Sequence, residues 1–95
     1  MTNSVQVELK AVVNITTISS LKSQLDDALE KSVDVVLMGE NVEKVDTAAL
    51  QLLAVFNEKL KSDGNSLRWE KPSDEVCNVA GLLGLQSAVS LPISD

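Results

Sequence analysis

The first hydrophobic positions alternate. Val5, Val7 and Leu9 are separated by Gln6 and Glu8, and Lys10 follows. A period of two predicts a strand with one buried face. Ala11, Val13 and Ile15 keep the same parity, so the segment reads as one bent strand or a short hairpin. No Asn-Gly or Asp-Gly turn decides between them. The step then changes. Ile18, Leu21, Leu25, Ala28 and Leu29 recur every three or four residues, which places them on one helix face. Lys22, Ser23, Asp26, Asp27, Glu30 and Lys31 take the other face, and Thr17 is the natural N-cap. Lys22 with Asp26, and Asp27 with Lys31, have the spacing of weak helical ion pairs.

Val33, Val35, Val36, Leu37 and Met38 suit a central strand buried on nearly both sides. Glu40 to Lys44 is polar and turn-like, with Val42 and Val45 as apolar anchors. Asp46-Thr47 opens a second helical pattern. Ala49, Leu52, Leu53, Phe56 and Leu60 form its inward stripe; Gln51, Ala54, Glu58 and Lys61 face outward. Gly64 suits the left-handed position that closes this helix. Leu67 and Trp69 alternate with Arg68 and Glu70, a further strand. Pro72-Ser73-Asp74-Glu75 is a helix start with Ser73 as cap and two acids in the first turn. Val76, Val79, Ala80 and Leu83 are its inward residues, and Gly84 ends it. Val89, Leu91 and Ile93 read as a short strand or a docked tail. Strands alternating with amphipathic helices predict an α/β layer with a substantially parallel sheet. Residues 1–95 read as a single domain without repeat or linker.

Composition narrows the function classes. The only aromatic residues are Phe56 and Trp69, so the core is aliphatic. A net charge of −6 with no basic cluster opposes nucleic acid and anionic membrane surfaces. The chain has no His, which removes the commonest general base and metal ligand. Its single cysteine, Cys77, allows neither an intrachain disulfide nor a Cys-rich metal site. It reads as a small, partly buried helix residue. No signal-peptide pattern and no apolar run of membrane-spanning length is visible. The expectation is a cytoplasmic, non-enzymatic domain without cofactor, metal or membrane insertion.

The informative segment is Val45-Asp46-Thr47-Ala48-Ala49-Leu50. It leads from a strand and loop into a helix, and in α/β folds such positions carry function. The Thr47 hydroxyl stands in the first helical turn, where unpaired N–H groups and the helix dipole favour an added anion. A phosphate there adds about −1.5 to −2 charges beside Asp46 and near Glu43. An ordinary cap and first-turn threonine explain the same two residues. Trp69 reads as packing over a helix. Gly39, Gly81 and Gly84 do not make a phosphate-binding loop.

At this segment the chain resembles the STAS domain family, the anti-sigma factor antagonists and sulfate-transporter tails. The resemblance runs through Val35-Val36-Leu37, Val42 and Val45 to Leu53. It also includes Pro72-Ser73 and Leu82-Leu83-Gly84-Leu85, and it covers roughly residues 5–90. It implies a layer of four to five strands of mixed direction with three to four helices packed on one side. It implies a regulatory module that binds a protein partner and is not an enzyme. In the antagonist branch a Ser directly after the Asp is phosphorylated by an anti-sigma factor kinase, which releases the pair. Thr47 occupies that position. The resemblance makes Thr47 the phospho-acceptor or a direct partner contact and Asp46 the loop and helix cap. Ala48, Gln51, Ala54 and Glu58 become the partner-binding face. Ala48-Ala49 replaces the common Ser/Thr-Gly, Met38-Gly39-Glu40 replaces Asp-Leu-Ser, and Ala11 replaces a common Gly. These departures bring the pattern closer to two other groups. One is the cytosolic subunit of the Mla phospholipid-transport ABC system, whose Thr helps dock the ATPase subunit. The other is the single-domain proteins associated with bacterial chemotaxis clusters.

Overall fold

The computed structural model describes residues 4–14 and 16–91. The expectations for Ile15 and Ile93 lie outside these residues. The chain runs β1 (Ser4–Glu8), β2 (Val12–Val13), α1 (Ile18–Lys31), β3 (Asp34–Met38), β4 (Lys44–Val45), α2 (Thr47–Ser62), β5 (Leu67–Glu70) and α3 (Asp74–Leu83). The bent strand resolves into two separate strands. Among the described residues five strands and three helices form the α/β layer that the alternating pattern predicts, with β4 added in a segment that reads as turn-like.

β3 is central, with β1 and β5 on either side. Val35 pairs with Val5 and Leu67, and Leu37 with Val7 and Trp69. β2 pairs separately with β4. Every pairing among the described residues is parallel. The mixed strand direction that the resemblance implies is absent from them, and the parallel reading from periodicity is the one they follow. The physical reason is the chain path: α1 and α2 each carry the chain back across the layer, so the next strand of the sheet starts from the same end.

The pleat explains where the helices sit. Val7, Val35, Leu37 and Leu67 point to one side and share a core with Leu21, Leu25, Leu50, Leu53, Leu60, Val76 and Ala80 of the helices. On the other side Gln6, Glu8, Arg68 and Glu70 are exposed. Val36 is buried there between its register neighbours Gln6 and Arg68, whose aliphatic stems can cover it. The helices therefore pack on one side only.

The helix ends follow local chemistry. Ser73 accepts from Val76 N at 3.3 Å and starts α3. Gly64 (φ 79°) and Gly84 (φ 68°) follow α2 and α3 in the left-handed region, where a side chain is unfavourable. Thr17 departs from expectation. It precedes α1, but its backbone is helical (φ −103°, ψ −7°) and its side chain makes no cap bond. That conformation turns the hydroxyl back into the preceding turn, where it donates to Val12 O at 3.0 Å and accepts from Asn14 N at 3.0 Å. The two predicted ion pairs of α1 form, both at 3.0 Å and both exposed. Such pairs add little stability.

The segment after α3 is a docked turn, not a strand. Val89 and Leu91 are buried in it. Trp69 Nε1 donates to Val89 O at 2.8 Å, so this tryptophan anchors the turn as well as packing inward. Cys77 is exposed on α3, against the expectation of partial burial: Val76 and Ala80 take the inward positions and leave it on the outer side.

Candidate functional site

The approach to α2 is held by backbone hydrogen bonds. Glu43 N and Lys44 N both donate to Ala11 O, at 2.7 and 3.0 Å, and Asp46 N donates to Val13 O at 3.1 Å. The loop is thereby fixed against β2 before the helix begins. Asp46 is extended (φ −103°, ψ 171°), the conformation a cap requires. Its Oδ1 accepts from Ala49 N at 2.9 Å, and its carbonyl accepts from Leu50 N at 3.2 Å. Asp46 is thus the cap residue of α2.

This anchoring decides which residues face out. Ala49, Leu50 and Leu53 are completely buried, while Thr47 and Ala48 are exposed. Among the described residues, no hydrogen bond engages the Thr47 hydroxyl. Gln51 and Glu58 are exposed and Ala54 is half-buried. Thr47, Ala48, Gln51 and Glu58 therefore lie along one outward stripe, roughly 16 Å long at 1.5 Å per residue, while Ala54, placed on the same face from the sequence, is half-buried at its edge and packs against the core.

Two residues of this helix were not singled out from the sequence. Val55 is 53% exposed. It belongs to the stripe, one turn after Gln51, and an apolar residue at an outward position was the available signal. Asn57 carried no such signal. It is only 1% exposed. Its Nδ2 donates to Ala88 O at 3.0 Å and to Ser90 Oγ at 2.9 Å, and its Oδ1 meets no donor among the described residues.

The stripe has a neighbour on each side. Toward α1, a narrow cleft runs between Leu25 and Leu29 and the pair Leu52 and Val55. Toward the C-terminal turn, Ala54, Asn57, Glu58 and Ala88 border an open hollow of about 220 Å³. Elsewhere, a cleft of about 270 Å³ opens beside the start of α1, lined by Leu9, Lys10, Val13, Thr17, Ser20 and Leu21. Among the described residues no cluster of Cys, Asp and Glu side chains could hold a metal ion. Nor is any helix among them long and apolar enough to cross a membrane.

Losing the cap has a measurable cost. Asp46→Ala removes the Ala49 N–H partner and lowers unfolding free energy by about 1 kcal/mol, while Asp46→Asn retains most of it. Urea unfolding followed by circular dichroism checks this. A midpoint unchanged in the alanine variant contradicts the capping role.

The fold is a parallel α/β layer in which the acid-capped start of α2 leaves Thr47 exposed. A family model described as "Mlab, STAS domain" matches residues 2–92. The chain belongs to the STAS domain family. Its fold is similar to the NMR structure of the protein TM1081, with a TM-score of 0.76 and 23% identity, covering 90% of this chain and 70% of that one. At that identity the likeness speaks for the fold alone. No curated protein matches the chain.

Proposed function

We propose that this STAS domain is a bacterial, cytoplasmic, non-catalytic regulatory module that docks a protein partner through the N-terminal half of α2. Thr47 stands at the centre of the contact, and its phosphorylation is the switch. The observation that carries the reading is the outward stripe. Thr47, Ala48 and Gln51 are exposed on a helix start that Asp46 and the β2 contacts hold in place. Small side chains at Ala48 and Ala54 let a partner approach the helix backbone closely. The hydroxyl of Thr47 is open to a kinase. A phosphate on it would bring about two negative charges and considerable bulk into the middle of the contact, beside the Asp46 carboxylate. A docked partner would be displaced by both.

A second reading is an accessory subunit of an Mla-type phospholipid-transport ABC complex, with Thr47 an unmodified docking contact. The description of the matching family model favours it. The two readings share a surface and differ in chemistry.

The test is capture of partners from the native lysate on wild-type, Thr47→Glu and Ala48→Arg protein. Mass spectrometry identifies the partners and any phosphate on the Thr47 peptide. A kinase or signalling protein lost at least ~10-fold, about 1.4 kcal/mol, in both variants, with phosphate on Thr47, supports the switch. A transporter ATPase bound to unmodified wild type, and weakened by Ala48→Arg, supports the accessory-subunit reading. Equal capture by all three proteins overturns the docking surface itself.

A further inference from the structure

Residues 86–91 form a turn that carries its own backbone bonding. Val89 N donates to Leu85 O at 3.0 Å, Ser90 N to Ser87 O at 3.1 Å and Leu91 N to Gln86 O at 2.9 Å. Among the described residues no backbone hydrogen bond joins this segment to the sheet or to α2. The polar attachments to the body come from two side chains. Asn57 Nδ2 donates to Ala88 O at 3.0 Å and to Ser90 Oγ at 2.9 Å, and Trp69 Nε1 donates to Val89 O at 2.8 Å. Buried Val89 and Leu91 supply the apolar contact.

Two features of the docked form work against it. Asn57 is 1% exposed, yet its Oδ1 meets no donor among the described residues. A buried acceptor without a partner carries a desolvation cost that water would relieve. Ser90 has φ 60°, a left-handed backbone that a residue with a side chain adopts at a cost. Opening the turn relieves both at once: water reaches the amide, and Ser90 returns to ordinary backbone angles.

We propose that residues 86–91 are a latch, which opens as one unit while the sheet and the helices stay folded. Burial of Val89 and Leu91 makes closed the resting form. No ladder bond breaks on opening, so the step lies at the low end of the free energies at which a native protein opens locally. Ala88 and Asn57 wall the hollow of about 220 Å³ that Ala54 and Glu58 also border. Opening removes the Ala88 wall and brings the Asn57 amide to the surface. The surface beside the α2 stripe therefore has two forms. The inference does not rest on the docking function proposed there, since the latch is measured on the protein alone.

Native-state hydrogen exchange followed by NMR, from zero to sub-denaturing urea, tests it. Five reporters sit on the latch: the backbone amides of Val89, Ser90 and Leu91, the Asn57 side-chain amide and the Trp69 indole N–H. In wild type all five should share one opening equilibrium. It should be at least ~100-fold more populated than the opening of Leu37 in β3 or Leu53 in α2. It should also depend only weakly on urea, because little surface is exposed. Asn57→Ala removes both amide donors and should raise backbone exchange in the latch, relative to Leu37, at least ~10-fold further. Taking rates relative to Leu37 separates the latch from any overall loss of stability. Latch reporters that exchange only together with Leu37 and Leu53, with the same urea dependence, overturn the proposal. So do five unrelated opening constants, which mean simple fraying, and so does an unchanged ratio in Asn57→Ala.

Discussion

Leu50→Ala lowers the unfolding free energy by about 2–5 kcal/mol. Leu50 is fully buried in the first two turns of α2, directly beneath the outward stripe. Truncation removes its transfer energy and leaves a space that the layer cannot easily collapse into, since Leu53, Val35 and Leu37 around the same core are also fully buried. A chain of 95 residues has a total stability of roughly 5–14 kcal/mol, so this one substitution removes a large share. Leu50→Met, nearly volume-conserving, should cost less than ~1.5 kcal/mol. Urea midpoints of the two variants check the pair. Equal, small losses in both would mean that the start of α2 is not packed as described.

Trp69→Ala comes next, at about 3–5 kcal/mol. The indole serves two neighbours at once. A Cβ built at Gly39 would stand 3.0 Å from its ring carbons, so the ring lies directly over that glycine at the end of β3. Its Nε1 also holds Val89 O at 2.8 Å. Trp69→Phe separates the roles: it keeps most of the apolar ring and leaves the buried Val89 carbonyl without its donor. The phenylalanine variant should lose about 1–3 kcal/mol. Its faster hydrogen exchange should be confined to the turn around Gln86 to Leu91. In the alanine variant the end of β3 loosens as well. Exchange that stays slow in that turn in both variants would contradict the anchoring role.

The legibility of the site differed from residue to residue. Asp46 as cap was readable because capping is local: the side chain, the extended backbone and the recipient N–H lie within four positions. The same rule misassigned Thr17. Its hydroxyl had a competing acceptor, Val12 O at the end of β2, and that contact depends on how the strand enters the turn. Leu50 was missing from the inward stripe. The helix buries more than one narrow face, because the sheet lies beneath it, α1 on one side and the C-terminal turn on the other. Asn57 was invisible, since its partners Ala88 and Ser90 are some thirty residues away. Its burial is a property of the docked turn and has no trace in local pattern.

The amino-acid sequence alone determined the three helices, the strands around Val7, Val35 and Leu67, the aliphatic core and the caps at Asp46 and Ser73; the short strand β4, in a segment that reads as turn-like, was not among them. These follow from periodicity and short-range hydrogen bonding, which act within a few residues. The family resemblance added the expectation that Thr47 is a phospho-acceptor or partner contact. The tertiary structure decided the rest. It separated β1 from β2, set β2 beside β4 in a second small sheet, and docked the turn holding Val89 and Leu91 against Trp69. It also left Leu82 uncovered while burying Val76 and Ala80 on the same helix. Each of these outcomes depends on which distant segment arrives at a given face, and that is settled only when the whole chain packs.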